Sequence, residues 1–160
     1  MLINGYLTIA KGNIMLAWKD SMTTGIKEID AQHKELINRY NAFADVLSNS
    51  KDTAILREEA GGLLDFLQFY ALWHFTEEEE FFEKYQCPDA EVNKKAHAQF
   101  IEMFGQFYES WQDKGMDLEL AQRTFTELGN WVANHILGVD IKVYPYVKAE
   151  MDSQPKDPTS

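Results

Sequence analysis

The chain contains four histidines, and each lies on the apolar stripe of a different predicted helix. They are His33, His74, His97 and His135. Apolar residues that recur at three- and four-residue steps around each of them predict the helices. One histidine on such a stripe is most simply a core residue with a local hydrogen bond. Four of them facing one interior favour a metal site.

Two carboxylates are in step with these histidines. Glu78 follows His74 by four residues, so both side chains point to the same side of a helix. Asp140 follows His135 by five residues, just beyond the expected end of its helix. Buried carboxylates are costly unless they are paired or bind a cation. Mixed nitrogen and oxygen donors suit iron, manganese or zinc, and this set exceeds the needs of one tetrahedral zinc. The sequence therefore predicts two metal ions.

The elements that position these residues are four helices with short connections. The polar stretch at 48–52, Cys87-Pro88 and Lys114-Gly115 separate them. This order predicts an all-α fold, an antiparallel up-down-up-down four-helix bundle with an N-terminal arm. We expect the arm at 1–24, without β-strand alternation, the bundle at 25–148 and a disordered tail at 149–160.

The composition is that of a compact, acidic domain. The 160 residues suit one domain, and 45% hydrophobic residues allow a sizeable core. A net charge of −11 argues against nucleic acid and against docking on an anionic membrane. The chain lacks a long apolar run and a signal peptide, and its single cysteine fits a reducing compartment. We therefore expect a cytoplasmic protein, with Cys87 as an inert loop thiol rather than a redox-active one.

Several motifs resemble those of the hemerythrin family, in particular the bacterial hemerythrins, over about residues 18–147. The motifs are Trp18, Thr24-Gly25-Ile26, Ile29-Asp30-x-Gln32-His33-x-x-Leu36, His74-Phe75 with Glu77-Glu78, Pro88 followed by His97-x-x-Phe100, and Trp131-x-x-x-His135-Ile136-x-x-x-Asp140. Each motif alone is weak, but their combined spacing is specific.

The resemblance implies a non-haem di-iron centre. Its two Fe ions would be held by His33 and His74 on one side, by His97 and His135 on the other, and by Glu78 and Asp140 as bridges, with an oxo or hydroxo group as the third bridge. Members of the family bind O₂ reversibly at the iron that has two histidines. The resemblance also places Trp131, Ile136 and Leu137 along the O₂ pocket, although such residues on a helix are more often plain core.

The chain departs from the family pattern at Asn93. The pattern His-x-x-x-His on the third helix here reads Asn93-Lys-Lys-Ala-His97. Three alternatives stay open for this position. The Asn93 carbonyl ligates iron weakly, or Asn93 only hydrogen-bonds while the other ligands or a water suffice, or this iron is lost or weakly bound.

The implied function is binding or sensing of O₂, or of another small diatomic ligand such as NO. A sensor would act through a protein partner, because the chain carries no obvious output domain. The alternatives are a di-iron oxidase or peroxidase-type enzyme that uses the coordination position opened by Asn93, or iron handling. The Glu-x-x-His motifs of ferritin-like enzymes are absent. We rank a binding protein ahead of an enzyme and assign no catalytic residue.

Overall fold

Four long helices form the body of the protein. The structure is a computed structural model that describes residues 2–3, 7–10, 13–49, 53–114 and 118–153. The helices are α1 (Lys27–Asn49), α2 (Thr53–Lys84), α3 (Ala90–Lys114) and α4 (Leu118–Gly138). Their number, order and breaks follow the apolar spacing of the sequence. The predicted all-α four-helix bundle is confirmed.

The turn between α2 and α3 is closed by backbone hydrogen bonds. Gln86 adopts a positive φ of 52°, and the amide of Cys87 donates to the carbonyl of Phe82 at 2.9 Å. This arrangement satisfies a free carbonyl at the end of α2. Cys87 is buried, and burial raises the pKa of its thiol. A protonated, buried thiol supports the prediction of an inert cysteine.

Two apolar clusters occupy the interior, and a polar layer lies between them. The larger cluster includes Leu36 and Phe75, and the smaller one includes Ile29 and Phe82. On α1, His33 lies between Ile29 and Leu36. On α2, Glu78 lies between Phe75 and Phe82. The larger cluster contains Phe43 stacked on Phe125 with ring centroids 3.6 Å apart, a pair that contributes about 0.5–1.5 kcal/mol beyond its buried area. The polar layer is therefore shielded from water on both sides.

The N-terminal arm contains a small antiparallel sheet that the sequence pattern does not predict. Its strands, in sheet order, are β1 (Leu2–Ile3), β2 (Leu7–Ala10) and β3 (Asn13–Leu16). Leu16 and the Asn41 side chain on α1 exchange two hydrogen bonds of 2.9 Å. Strands of two to four residues are too short to show alternation. The anchor also lies 25 positions away in the chain, where no local pattern reveals it.

The chain continues past α4 into a 3₁₀ helix, Asp140–Val143, and then into α5, Tyr144–Ser153. The predicted disordered tail at 149–160 is therefore wrong for residues 149–153, because Val147 is buried and anchors α5 to the smaller apolar cluster. Residues 154–160 lie outside the described part of the chain. Within the described ranges, no helix has the length and apolar content needed to cross a membrane.

Candidate metal centre

All six predicted ligands meet in the buried polar layer. They are His33 on α1, His74 and Glu78 on α2, His97 on α3, His135 on α4 and Asp140 at the start of the 3₁₀ helix. Their donor atoms form two groups, each within 4.8 Å. One consists of His33, His74 and Glu78, and the other of Glu78, His97, His135 and Asp140. Glu78 belongs to both groups, so the two candidate metal positions share a carboxylate.

Both carboxylates reach from one histidine pair to the other. In Glu78, Oε1 lies 3.4 Å from Nε2 of His33 and Oε2 lies 3.2 Å from Nε2 of His97. In Asp140, Oδ2 lies 3.4 Å from Nε2 of His33 and Oδ1 lies 3.0 Å from Nε2 of His135. The two oxygens of each carboxylate thus face different histidines, as bridging ligands require.

The donor atoms themselves fit a metal pair. Nε2 of His33, His97 and His135, together with Oε1 of Glu78 and both oxygens of Asp140, are buried and have no hydrogen-bond partner within the described residues. Their mutual contacts of 3.0–3.4 Å lack hydrogen-bond geometry. Buried polar atoms without partners are rare and unfavourable. Cations between these atoms satisfy all of them at once, and imidazole with carboxylate suits iron, manganese or zinc.

Two further side chains orient the histidines from outside. Oε1 of Gln32 lies 2.8 Å from Nδ1 of His74, and Oε1 of Glu79 lies 2.9 Å from Nδ1 of His97. Both partners accept, so each histidine carries its proton on Nδ1 and keeps Nε2 free to ligate. No role was predicted from the sequence for Gln32 or for Glu79. Only its position beside Glu78 could have drawn attention to Glu79.

Burial and neighbouring charges shift the pKa values of the ligands in opposite directions. Burial, reinforced by the neighbouring His33, lowers the pKa of His74 to about 3, so this ring is neutral. Burial also lowers the pKa of His33, but the close contact with the Glu78 carboxylate and the charge of Asp140 outweigh it and raise the pKa. For Glu78, burial raises the pKa, while His33 and His97 more than offset this and hold it well below its usual range.

Asn93 lies in the same layer, fully buried on α3. Its Nδ2 donates to Oε2 of Glu78 at 3.3 Å. Its Oδ1 is buried and has no hydrogen-bond partner in the described part of the chain. The structure therefore places Asn93, where the chain differs from the family pattern, beside the second group of donors.

Aromatic rings flank the second histidine pair. Trp131 stacks on His135 with centroids 4.4 Å apart, and Phe75 stacks on His97 at 3.8 Å. Of the other two candidates for the O₂ pocket, Ile136 is buried in the larger cluster and Leu137 packs against it half-buried. Trp18 of the arm lies 6.4 Å from His33 between centroids.

An apolar cavity of about 20 Å³ lies within the larger cluster. Four of its lining residues, Leu36, Ala71, Phe100 and Val132, are each three residues from one of the four histidines. A separation of three residues is about one helical turn. The cavity therefore lies about one helical turn from the histidines, and it is large enough for about one water-sized molecule.

Comparison with known proteins finds one family. Residues 24–147 match the profile of the hemerythrin HHE cation binding domain. A bacteriohemerythrin of Stenotrophomonas maltophilia (strain R551-3) is 30% identical over 138 residues, which cover 86% of this chain and 85% of that protein. A hemerythrin-like protein of Naegleria gruberi is 29% identical over 125 residues, 78% of this chain and 87% of that protein. A crystal structure of wild-type hemerythrin superposes with a TM-score of 0.71 at 24% identity, covering 82% of this chain and 97% of that one.

Proposed function

The chain belongs to the hemerythrin family, and we propose that it holds two iron ions and binds O₂, or a related small ligand such as NO, at that centre. The proposed ligands are His33 and His74 for one iron, His97 and His135 for the other, and Glu78 and Asp140 for both. Once bound, the iron pair supplies a redox-active site that takes small neutral ligands.

One observation carries the proposal. Each of the two carboxylates places one oxygen against His33 and the other against a histidine of the second pair, at 3.0–3.4 Å. A single metal ion uses donors that point to one position, whereas these point to two. Non-haem iron is also the metal bound by the family to which the chain belongs.

The residues around the centre suit a neutral, apolar ligand. The apolar cavity one helical turn from the histidines is lined by aliphatic and aromatic side chains, among them Leu36, Phe100 and Val132. Empty cavities in proteins are typically apolar, and apolar walls favour a small apolar ligand over water. Excluding water and protons in this way favours reversible binding over onward chemistry.

The test combines iron analysis with visible absorption. We expect the purified, iron-supplemented protein to carry two irons per chain. The reduced form should change its visible spectrum when O₂ is added and recover when O₂ is removed. Stoichiometric zinc alone, or no bound metal, contradicts the proposal. Steady consumption of O₂ without a reversible spectral change would indicate an oxidase instead of a binding protein.

A further inference from the structure

Asn93 stands where the family pattern has a histidine ligand. We propose that Asn93 is a seventh protein ligand of the metal pair and that it binds, through Oδ1, the metal held by His97 and His135. The inference rests on the proposed di-iron centre and decides among the alternatives for this position.

The position of Asn93 suits a ligand. It precedes His97 by four residues on α3, so the two side chains share one face of the helix. Its side chain is fully buried in the polar layer, although Lys95, two positions further along the same helix, is exposed. It contacts Oε2 of Glu78, which is the carboxylate oxygen that also lies 3.2 Å from His97. Asn93 therefore belongs to the half of the centre that holds His97.

The contact with Glu78 settles which end of the amide faces which way. The amide nitrogen of Asn93 can only donate, and an ionised carboxylate can only accept. The structure places Nδ2 of Asn93 3.3 Å from Oε2 of Glu78, as donor to acceptor. The amide NH₂ must therefore face Oε2 of Glu78, and Oδ1 is the end left over.

The free end of the amide is the observation that carries the inference. Oδ1 of Asn93 is buried and unpartnered among the described residues, like Nε2 of His97 and of His135. Hydrogen bonding to Glu78 explains the NH₂ group but leaves the carbonyl oxygen unsatisfied. A cation shared with the two histidines satisfies the carbonyl oxygen, and an amide oxygen is an accepted donor for hard divalent ions.

Ligation and hydrogen bonding alone predict opposite orders for two substitutions. Asn93→Asp keeps an oxygen donor and loses the NH₂ group, and it places a second carboxylate beside Glu78. Asn93→Leu keeps the branched arrangement of four side-chain heavy atoms and lacks both groups. If Oδ1 ligates, the Asp variant holds both irons as tightly as the wild type, and the Leu variant holds one of its two irons less tightly. If only the NH₂ group matters, the Asp variant is the worse of the two because the carboxylates repel each other.

The experiment measures release of iron from the loaded protein to a strong chelator. It compares the wild type, both variants and the exposed control Lys95→Leu. We expect Asn93→Leu to release one of its two irons faster by a factor on the order of 10–100, and Asn93→Asp to be no faster than the wild type. Mössbauer spectra of the loaded proteins should show that only one iron changes its environment in Asn93→Leu. If that variant fails to fold, Asn93→Ala takes its place with the same expected result.

Two results overturn the inference. One is faster release from Asn93→Asp than from Asn93→Leu, which assigns Asn93 to hydrogen bonding. The other is identical release and identical spectra in wild type, Asn93→Leu and Asn93→Ala, which leaves it no role at the metal. If the wild type binds two irons and either result is found, the proposed function stands and only the assignment of Asn93 as a ligand is wrong. If the wild type binds no iron, the proposed function itself is wrong.

Discussion

Gln32 holds His74 from a neighbouring helix: Oε1 of Gln32 accepts the Nδ1 proton of His74 at 2.8 Å. Both residues are buried, and 42 positions of the chain separate them. The hydrogen bond fixes the tautomer and the plane of the imidazole, so that Nε2 faces Glu78 and His33.

We therefore expect Gln32→Leu to weaken iron binding by about 10–100-fold while the helical fold is retained. The Leu side chain cannot accept the Nδ1 proton, so the ring is free to rotate and to change tautomer. Competition with a chelator of known affinity measures the effect. Gln106→Leu, at an exposed position on α3, is the control. Equal affinity in both variants would show that His74 is held by packing alone.

Glu78→Ala should lose iron, whereas Glu77→Ala should keep it. Glu78 is fully buried against His33 and His97, while Glu77 is only half-buried and turned away by about 100° of helix rotation. Elemental analysis of the two purified variants gives the comparison. Matching iron contents would contradict the placement of the bridging carboxylate.

Tyr40 should make the stability of the protein fall at high pH. Burial raises the pKa of Tyr40 to about 12, and its hydroxyl donates to the carbonyl of Phe125 at 2.9 Å. The folded state keeps this phenol protonated above its ordinary pKa of about 10, whereas the unfolded chain releases the proton. The contribution is therefore complete below pH 10 and is lost as pH rises towards 12.

Urea unfolding at several pH values tests this expectation. The free energy of unfolding should fall more steeply between pH 10 and 12 in the wild type than in Tyr40→Phe. The difference isolates Tyr40, because burial also raises the pKa of Tyr70 to about 12 in both proteins. If the free energy of unfolding falls equally in both proteins, the pKa of Tyr40 is not raised by folding.

Gly129→Ala should destabilise the bundle by about 1–3 kcal/mol, the usual cost of overpacking. A Cβ at this position on α4 would contact the hydroxyl of Tyr40 and lie 2.6 Å from its Cζ. The ring would have to move and give up its hydrogen bond to Phe125. Gly105→Ala is the matched control, because a Cβ there meets no atom within 4 Å. In this helical control alanine should stabilise by up to about 1 kcal/mol.

Thermal unfolding of the two glycine variants decides between them. A melting temperature that falls for Gly129→Ala and rises for Gly105→Ala agrees with the packing around Tyr40. A rise for both would show that Tyr40 has room to shift, and that helix propensity outweighs the contact.

The helices and the ligand-bearing faces could be predicted from the sequence because helical periodicity is local. Each histidine is in step with apolar neighbours within two turns of its own helix, as His33 is with Ile29 and Leu36. The spacing of Glu78 from His74 likewise depends only on helix geometry. These facts require no knowledge of how the helices are arranged, so the bundle and the convergence of the six donors were predictable.

The tertiary structure decided which donors face each other and what supports them. The rotation and axial register of the helices place Gln32 against His74, Glu79 against His97 and the amide of Asn93 against Glu78. No period along one helix encodes a contact between two helices. For the same reason, the anchoring of β3 by Asn41 became visible only when distant parts of the chain were packed together. Local periodicity thus determined the residues that enter the interior, and packing between helices determined their partners there.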